Sequence, residues 1–173
     1  SESLEAQRDT VDSAVEVFAR RVIISPVTLR PRFNPNATTG LDVATELEAA
    51  VDPRQLTGYG AAWTVGALGG LLTHTSVDSL TIYEAFGARG VISTSGREYP
   101  LTQPIESILR SKWLFASTSS LPLQAVGLAS QSADGIRYVL LGNLSADELT
   151  IQFVTPSGKL SNVPMSAESV ELI

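Results

Sequence analysis

The stretch Arg21-Val22-Ile23-Ile24-Ser25-Pro26-Val27-Thr28-Leu29 decides how the rest of the chain is read. A β-branched run bounded by charge predicts a buried strand. Upstream of it, Leu4, Val11, Ala14, Val15 and Phe18 recur at helical spacing, with Glu and Arg on the opposite face, so residues 4–19 are expected to form a helix. Downstream lies a long irregular stretch, residues 30–51, rich in Pro, Asn, Thr and Gly, within which residues 41–50 add a short helical turn. A loop of that length inside a compact domain is usually functional or mobile.

Asp52-Pro53 reads as a helix start, because Asp can cap free N–H groups and Pro tolerates the first helical position. The predicted helix runs through Tyr59, Ala62, Trp63 and Leu68 to Leu72. It carries Gly58, Gly60, Gly66, Gly69 and Gly70, each costing about 0.5–1 kcal/mol relative to Ala. The expected compensation is close packing of this helix against a sheet. Val77-Asp78-Ser79-Leu80-Thr81-Ile82-Tyr83-Glu84 then predicts a second buried strand.

Helix, strand, long loop, helix, strand is the rhythm of βα repeats. Strands this apolar usually have cover on both faces, as in an α/β barrel. A further amphipathic helix is expected over residues 103–115, with Ile105, Ile108, Leu109 and Trp113 on one side. After Ser120 the period changes. Residues 121–129, 136–144, 148–154 and 169–173 read as short strands, separated by turn signals at 132–135, 145–147 and 155–158. The expected fold is therefore α/β plus all-β. Residues 1–117 form the C-terminal βα units of a barrel, and residues 118–173 form a small antiparallel β-sandwich-like domain packed directly on it.

Hydrophobic residues make up 43% of the 173 and charged residues 17%, and the net charge is −6 with a pI near 4.7. No apolar run approaches the roughly 20 residues needed to cross a bilayer, so no membrane partner is expected. No cluster of Lys and Arg is present to neutralise phosphates, so nucleic acid is not expected either. The chain has no cysteine and a single histidine, His74, which removes disulfides, thiolate metal sites and zinc motifs that need two histidines. No metal or cofactor is expected. The chain reads as beginning inside a longer protein, and a cytoplasmic enzyme is the default expectation.

In barrels the reacting groups sit at the C-terminal ends of strands and in the loops that follow. Two such places occur. The first holds Arg30, Arg32 and Asn34, just past the first strand; guanidinium donor forks suit carboxylate or hydroxyl oxygens. The bland alternative pairs these arginines with acids of the 41–50 segment. The second holds Tyr83, Glu84 and Arg89. A carboxylate at a strand end is suited to acid/base work or hydroxyl binding; its alternative is an ion pair with Arg89. Strand parity puts Leu80, Ile82 and Glu84 on one face and Thr81 and Tyr83 on the other. On that reading Tyr83 points into the barrel mouth, and Glu84 does so only if the strand end bulges.

Other candidates carry less. His74 lies at a helix end, where it can meet helix carbonyls. Ser25 shows no nucleophile-elbow pattern, and the glycines at 66–70 follow no strand, so they make no dinucleotide fingerprint. Trp63 and Trp113 sit at helical spacing and read as core. Asn143-Leu144-Ser145 matches a glycosylation acceptor pattern, which carries no weight without secretion.

The string SPVTLRPRFNP at 25–35 resembles the D-apionate lactonase family. So do LEAQRDT at 4–10, DPRQ at 52–55, GAAWT at 60–64, SLTIYE at 79–84, RGV at 89–91 and LLGNL at 140–144, in the same order. The resemblance implies a glycoside-hydrolase-like (β/α)8 TIM barrel carrying a β-sandwich, and hydrolysis of a branched-sugar lactone to the open acid. It also implies that the chain starts in the helix before barrel strand seven and supplies strands seven and eight. Retaining glycosidases of the related clan carry a nucleophilic Glu at the end of strand seven; here that position reads Thr28-Leu29-Arg30, without an acid. Lactone opening needs less: an activated water, groups that orient hydroxyls, and donors to an oxyanion. Arg30, Arg32 and Asn34 suit the last two tasks, with Glu84 as base or hydroxyl acceptor. Residues 41–50 and 94–110 depart from the family pattern, which leaves the substrate open.

Two functions compete. The chain is either the C-terminal part of a sugar-acid lactonase, acting on a small sugar lactone and completed by the missing N-terminal barrel part or another copy, or a non-catalytic carbohydrate-binding or structural β module. Exposed aromatics on a sandwich face would favour the second, and residues 121–173 hold only Tyr138 and Phe153.

Overall fold

A computed structural model describes residues 2–31 and 43–173. Helix α1 (Glu2–Phe18) leads into strand β1 (Val22–Val27). A short helix α2 (Val43–Ala49), a 3-10 turn (Pro53–Leu56), helix α3 (Gly58–Leu72) and strand β2 (Val77–Ile82) follow. Strands β1 and β2 pair in parallel, as a crossover through a helix requires. The expected helix starting at Asp52 is divided. Asp52 does cap, accepting from the Arg54 backbone N–H, but it caps the 3-10 turn, and extended backbone at Thr57 separates that turn from α3.

One face of the β1–β2 pair is covered: Val22, Ile24, Leu80 and Ile82 pack on a core built from Val11, Val27, Ala61, Ala62, Trp63, Ala67 and Leu71. On the other face Ile23, Ser79 and Thr81 are exposed. The cover expected on both faces is thus present on one.

The second strand ends at Ile82 because Tyr83 takes a left-handed backbone conformation, φ +48°. Short strands β3 (Glu84–Phe86) and β4 (Gly90–Ile92) form a separate small pair beyond it. Helix α4 (Thr102–Leu109) is shorter than the expected 103–115 helix. Ser111–Phe115 is strand β5, the edge of a four-stranded antiparallel sheet with order β10-β7-β6-β5. Here alternation wins over helical spacing: Leu114 joins the core while Trp113 and Phe115 are exposed. Trp113, read as core, is 58% exposed.

The sheet therefore starts ahead of residue 118. Its other strands are β6 (Ala125–Ser132), β7 (Arg137–Asn143) and β10 (Ser169–Leu172). Strands β8 (Leu149–Val154) and β9 (Leu160–Met165) form a separate hairpin, and the second of them has no counterpart in the sequence reading.

Helix α3 joins the two parts. Val65 and Leu68 pack on Leu128 of β6 and Leu140 of β7, while Ala61, Trp63 and Leu71 face the core shared with β1 and β2. The fit is close enough to need glycine in the sheet. A Cβ on Gly142 would meet the Ala62 Cα at 3.1 Å and the Val126 Cγ2 at 2.8 Å.

Candidate functional site

Because β1 and β2 run parallel, their carboxyl ends lie at one edge, and the segments leaving them, Thr28 to Arg30 and Tyr83 to Glu84, emerge together. Asp52 lies at this edge and is only 2% exposed. Its Oδ1 accepts from the Arg54 backbone N–H and from Arg54 Nε, both at 3.0 Å. Its Oδ2 takes Arg54 Nη2 at 2.7 Å and faces Arg30 Nε at 3.5 Å. Arg30 Nη1 donates to the Ala49 carbonyl at 3.1 Å. The acid that meets Arg30 is thus Asp52, just beyond the 41–50 segment.

The side-chain hydrogen bond from Arg54 holds the Asp52 carboxyl below the usual range. Burial opposes this, and the Arg54 backbone N–H and the charges of both arginines reinforce it. The buried acid is held as an anion between two cations. Arg54 also lies over the Tyr59 ring, 5.2 Å from its centre.

Tyr83 is buried at 3% exposure in the core with α3, instead of pointing into the mouth as strand parity suggested. Its hydroxyl lies 2.9 Å from Thr64 Oγ1. Thr64 already donates its one proton to the Gly60 carbonyl at 2.6 Å, so in this pair Tyr83 donates. Burial pushes the phenol well above its ordinary range, with the Asp52 charge adding to the rise.

Glu84 is partly exposed and pairs with Arg89 at 3.0 Å. Buried Gln55 ties the two clusters together: its Nε2 donates at 3.2 Å to the carbonyl of Gly90, the residue after Arg89. The structure thus brings Arg30 together with Asp52 and Arg54, and Glu84 together with Arg89, while Tyr83 is buried. Arg32 and Asn34 lie outside the described residues.

Asp52 and Arg54 were not singled out as site residues in the sequence, where Asp52 read only as a cap. Their signal was an acid flanked by arginines on both sides of a strand-end loop. Two weaker candidates are fully used elsewhere. His74 Nδ1 accepts from the Ser76 backbone N–H at 3.1 Å, so Nε2 carries the proton that faces Asp12 Oδ1 at 2.9 Å. Asn143 is buried, with its Nδ2 donating to the Asp147 and Ser166 carbonyls and its Oδ1 accepting from Ser145 N.

Residues 1–112 match the family model described as D-apionate lactonase, TIM barrel domain. The chain belongs to this family. No curated protein matches it. In this member of the D-apionate lactonase family, the matched residues contain α1, β1, α3, β2 and the whole strand-end cluster. Most of the sheet-rich part lies beyond the match. The family assignment names a barrel domain and is consistent with a carbohydrate hydrolase. Among the described residues, no helix is long and apolar enough to cross a membrane.

Proposed function

We propose that this chain is the C-terminal part of a sugar-acid lactonase, a cytoplasmic enzyme that opens a sugar lactone to its acid without a cofactor. The observation that carries the reading is the placing of two ion-paired clusters, Arg30–Asp52–Arg54 and Glu84–Arg89, at the carboxyl ends of two parallel strands, in a chain of this family. The open face at Ile23, Ser79 and Thr81 supports a complete (β/α)8 barrel in which other strands, from an upstream part or another copy, face these two.

In lactone hydrolysis a water oxygen attacks the carbonyl carbon and gives a proton to a base. The carbonyl electron pair moves onto oxygen, then returns as the ring C–O bond breaks, and the departing ring oxygen takes a proton. Glu84 is suited to accept the water proton or to hold a substrate hydroxyl. Arg30, half-exposed with Asp52 behind it, is suited to face the oxyanion or a hydroxyl, and Arg32 and Asn34 follow it in the sequence. Arg89 aims Glu84. The test is turnover of sugar lactones by the complete protein. Arg30→Ala and Glu84→Ala are expected to remove most of it, and normal turnover by both overturns the site assignment.

One observation favours the second reading, a carbohydrate-binding β module. Strand β5 adds Trp113 and Phe115, 58% and 44% exposed, to one face of the edge of the sheet, which the later strands alone left poor in aromatics. Such rings are suited to stack on sugars.

A further inference from the structure

We infer that Tyr83 is a positioning residue: its left-handed backbone and its bond to Thr64 turn Glu84 out of the helix–sheet core and toward the strand-end site. This inference rests on the proposed role of Glu84. A strand places alternate residues on opposite faces. Leu80 and Ile82 pack on the core, so regular alternation carried on through β2 would bring Glu84 into the same core and send Tyr83 away from it. The structure has the reverse arrangement. Ile82 and Tyr83 are consecutive, yet both pack in the core, and Glu84 is partly exposed beside Arg89.

Consecutive residues share a side only where the backbone leaves the extended region, and it does so at Tyr83, with φ +48°. A bulky residue rarely adopts that conformation and keeps it only when its surroundings hold it there. Two holds are visible. The ring is packed in the core with α3, and the hydroxyl donates to Thr64, whose own proton is fixed on the Gly60 carbonyl. The backbone N–H of Tyr83 still reaches the Val27 carbonyl at 3.4 Å, so the turn begins only after the last contact with β1. On the far side Glu84 N donates to the Arg89 carbonyl at 3.1 Å, which closes the loop that carries the ion pair. The aromatic thereby occupies the place in the core that alternation assigns to a carboxylate.

The experiment uses the complete lactonase and compares Tyr83→Phe, Thr64→Val, Thr64→Ser and Glu84→Gln, with rates normalised to folded protein. Small displacements of reacting groups are costly, so Tyr83→Phe and Thr64→Val are each expected to lower kcat roughly tenfold. With binding groups untouched, KM should stay within about twofold of wild type. Thr64→Ser keeps the acceptor and should restore kcat to within about twofold. Wild-type kcat in both Tyr83→Phe and Thr64→Val, beside an inactive Glu84→Gln, overturns the positioning role and leaves the lactonase reading standing. Equal losses in Thr64→Ser and Thr64→Val also overturn it. Normal turnover by Glu84→Gln removes the role of Glu84 itself, and the inference with it.

Discussion

Two glycines of the same helix should respond to the same substitution with opposite signs. Gly70 of α3 has nothing within 4 Å of where a Cβ would stand. Gly70→Ala therefore removes only the backbone freedom of the unfolded chain, and the gain expected is about 0.4–1 kcal/mol. Gly58 opens the same helix, but its Cβ would run into the backbone carbonyl oxygen of Glu168, with the carbonyl carbon at 3.1 Å. That carbonyl cannot swing away as a side chain would. Glu168 has a left-handed φ of +46°, and its N–H donates to the Ser145 carbonyl at 3.0 Å. Either α3 or the turn into β10 must shift, and forced overpacking of this kind costs about 1–3 kcal/mol. The two variants should thus lie roughly 1.4–4 kcal/mol apart. Urea unfolding reads the difference directly: with a slope of about 1–3 kcal/mol per molar, their midpoints should differ by about 0.5 M or more, on opposite sides of wild type. A Gly58→Ala midpoint at or above wild type refutes the close approach of α3 to the β9–β10 turn.

Asp52 makes a pH-dependent contribution. Its folded pKa lies below the ordinary value of 3.8, so its stabilisation is present above that value and is lost as pH falls through the lower folded one. Asp52→Asn should be less stable than wild type at pH 7 and lose less stability on acidification; parallel acid limbs in urea midpoints would show that Asp52 is not the group responsible. For Trp113 and Phe115, native electrophoresis in gels containing soluble glycans separates the two functional readings. Retarded wild type with an unretarded Trp113→Ala supports a stacking surface, whereas unretarded wild type removes it.

The legibility of this chain follows the range of the forces involved. Helix α1, strands β1, β2 and β7, and the turns of the second part were readable, because apolar period and turn residues are local signals. Residues 111–115 were not. Ile105, Ile108 and Leu109 continue smoothly to Trp113 at helical spacing, and pairing with β6, whose partners lie some way along the chain, decides for strand. Strand β9 was missed because Ser161, Asn162 and Pro164 have low strand preference, and pairing with β8 supplies what they lack. At the site, Arg30, Glu84 and Arg89 were legible from their place after apolar strands. The burial of Asp52 was not, since a capping residue and a buried counter-ion look alike in sequence. Tyr83 was misplaced because period-2 logic has no symbol for one left-handed residue.

No residue of α3 is fully exposed. A helix clad over most of its surface behaves as a party wall, and neither neighbour can be demolished without leaving it open to the weather. A recombination event that exchanged only the sheet would have to bring surfaces matching Val65 and Leu68, with a glycine where Gly142 admits Ala62. The two parts are therefore expected to be inherited as one block, and changes along β6 and β7 to be answered by changes in α3.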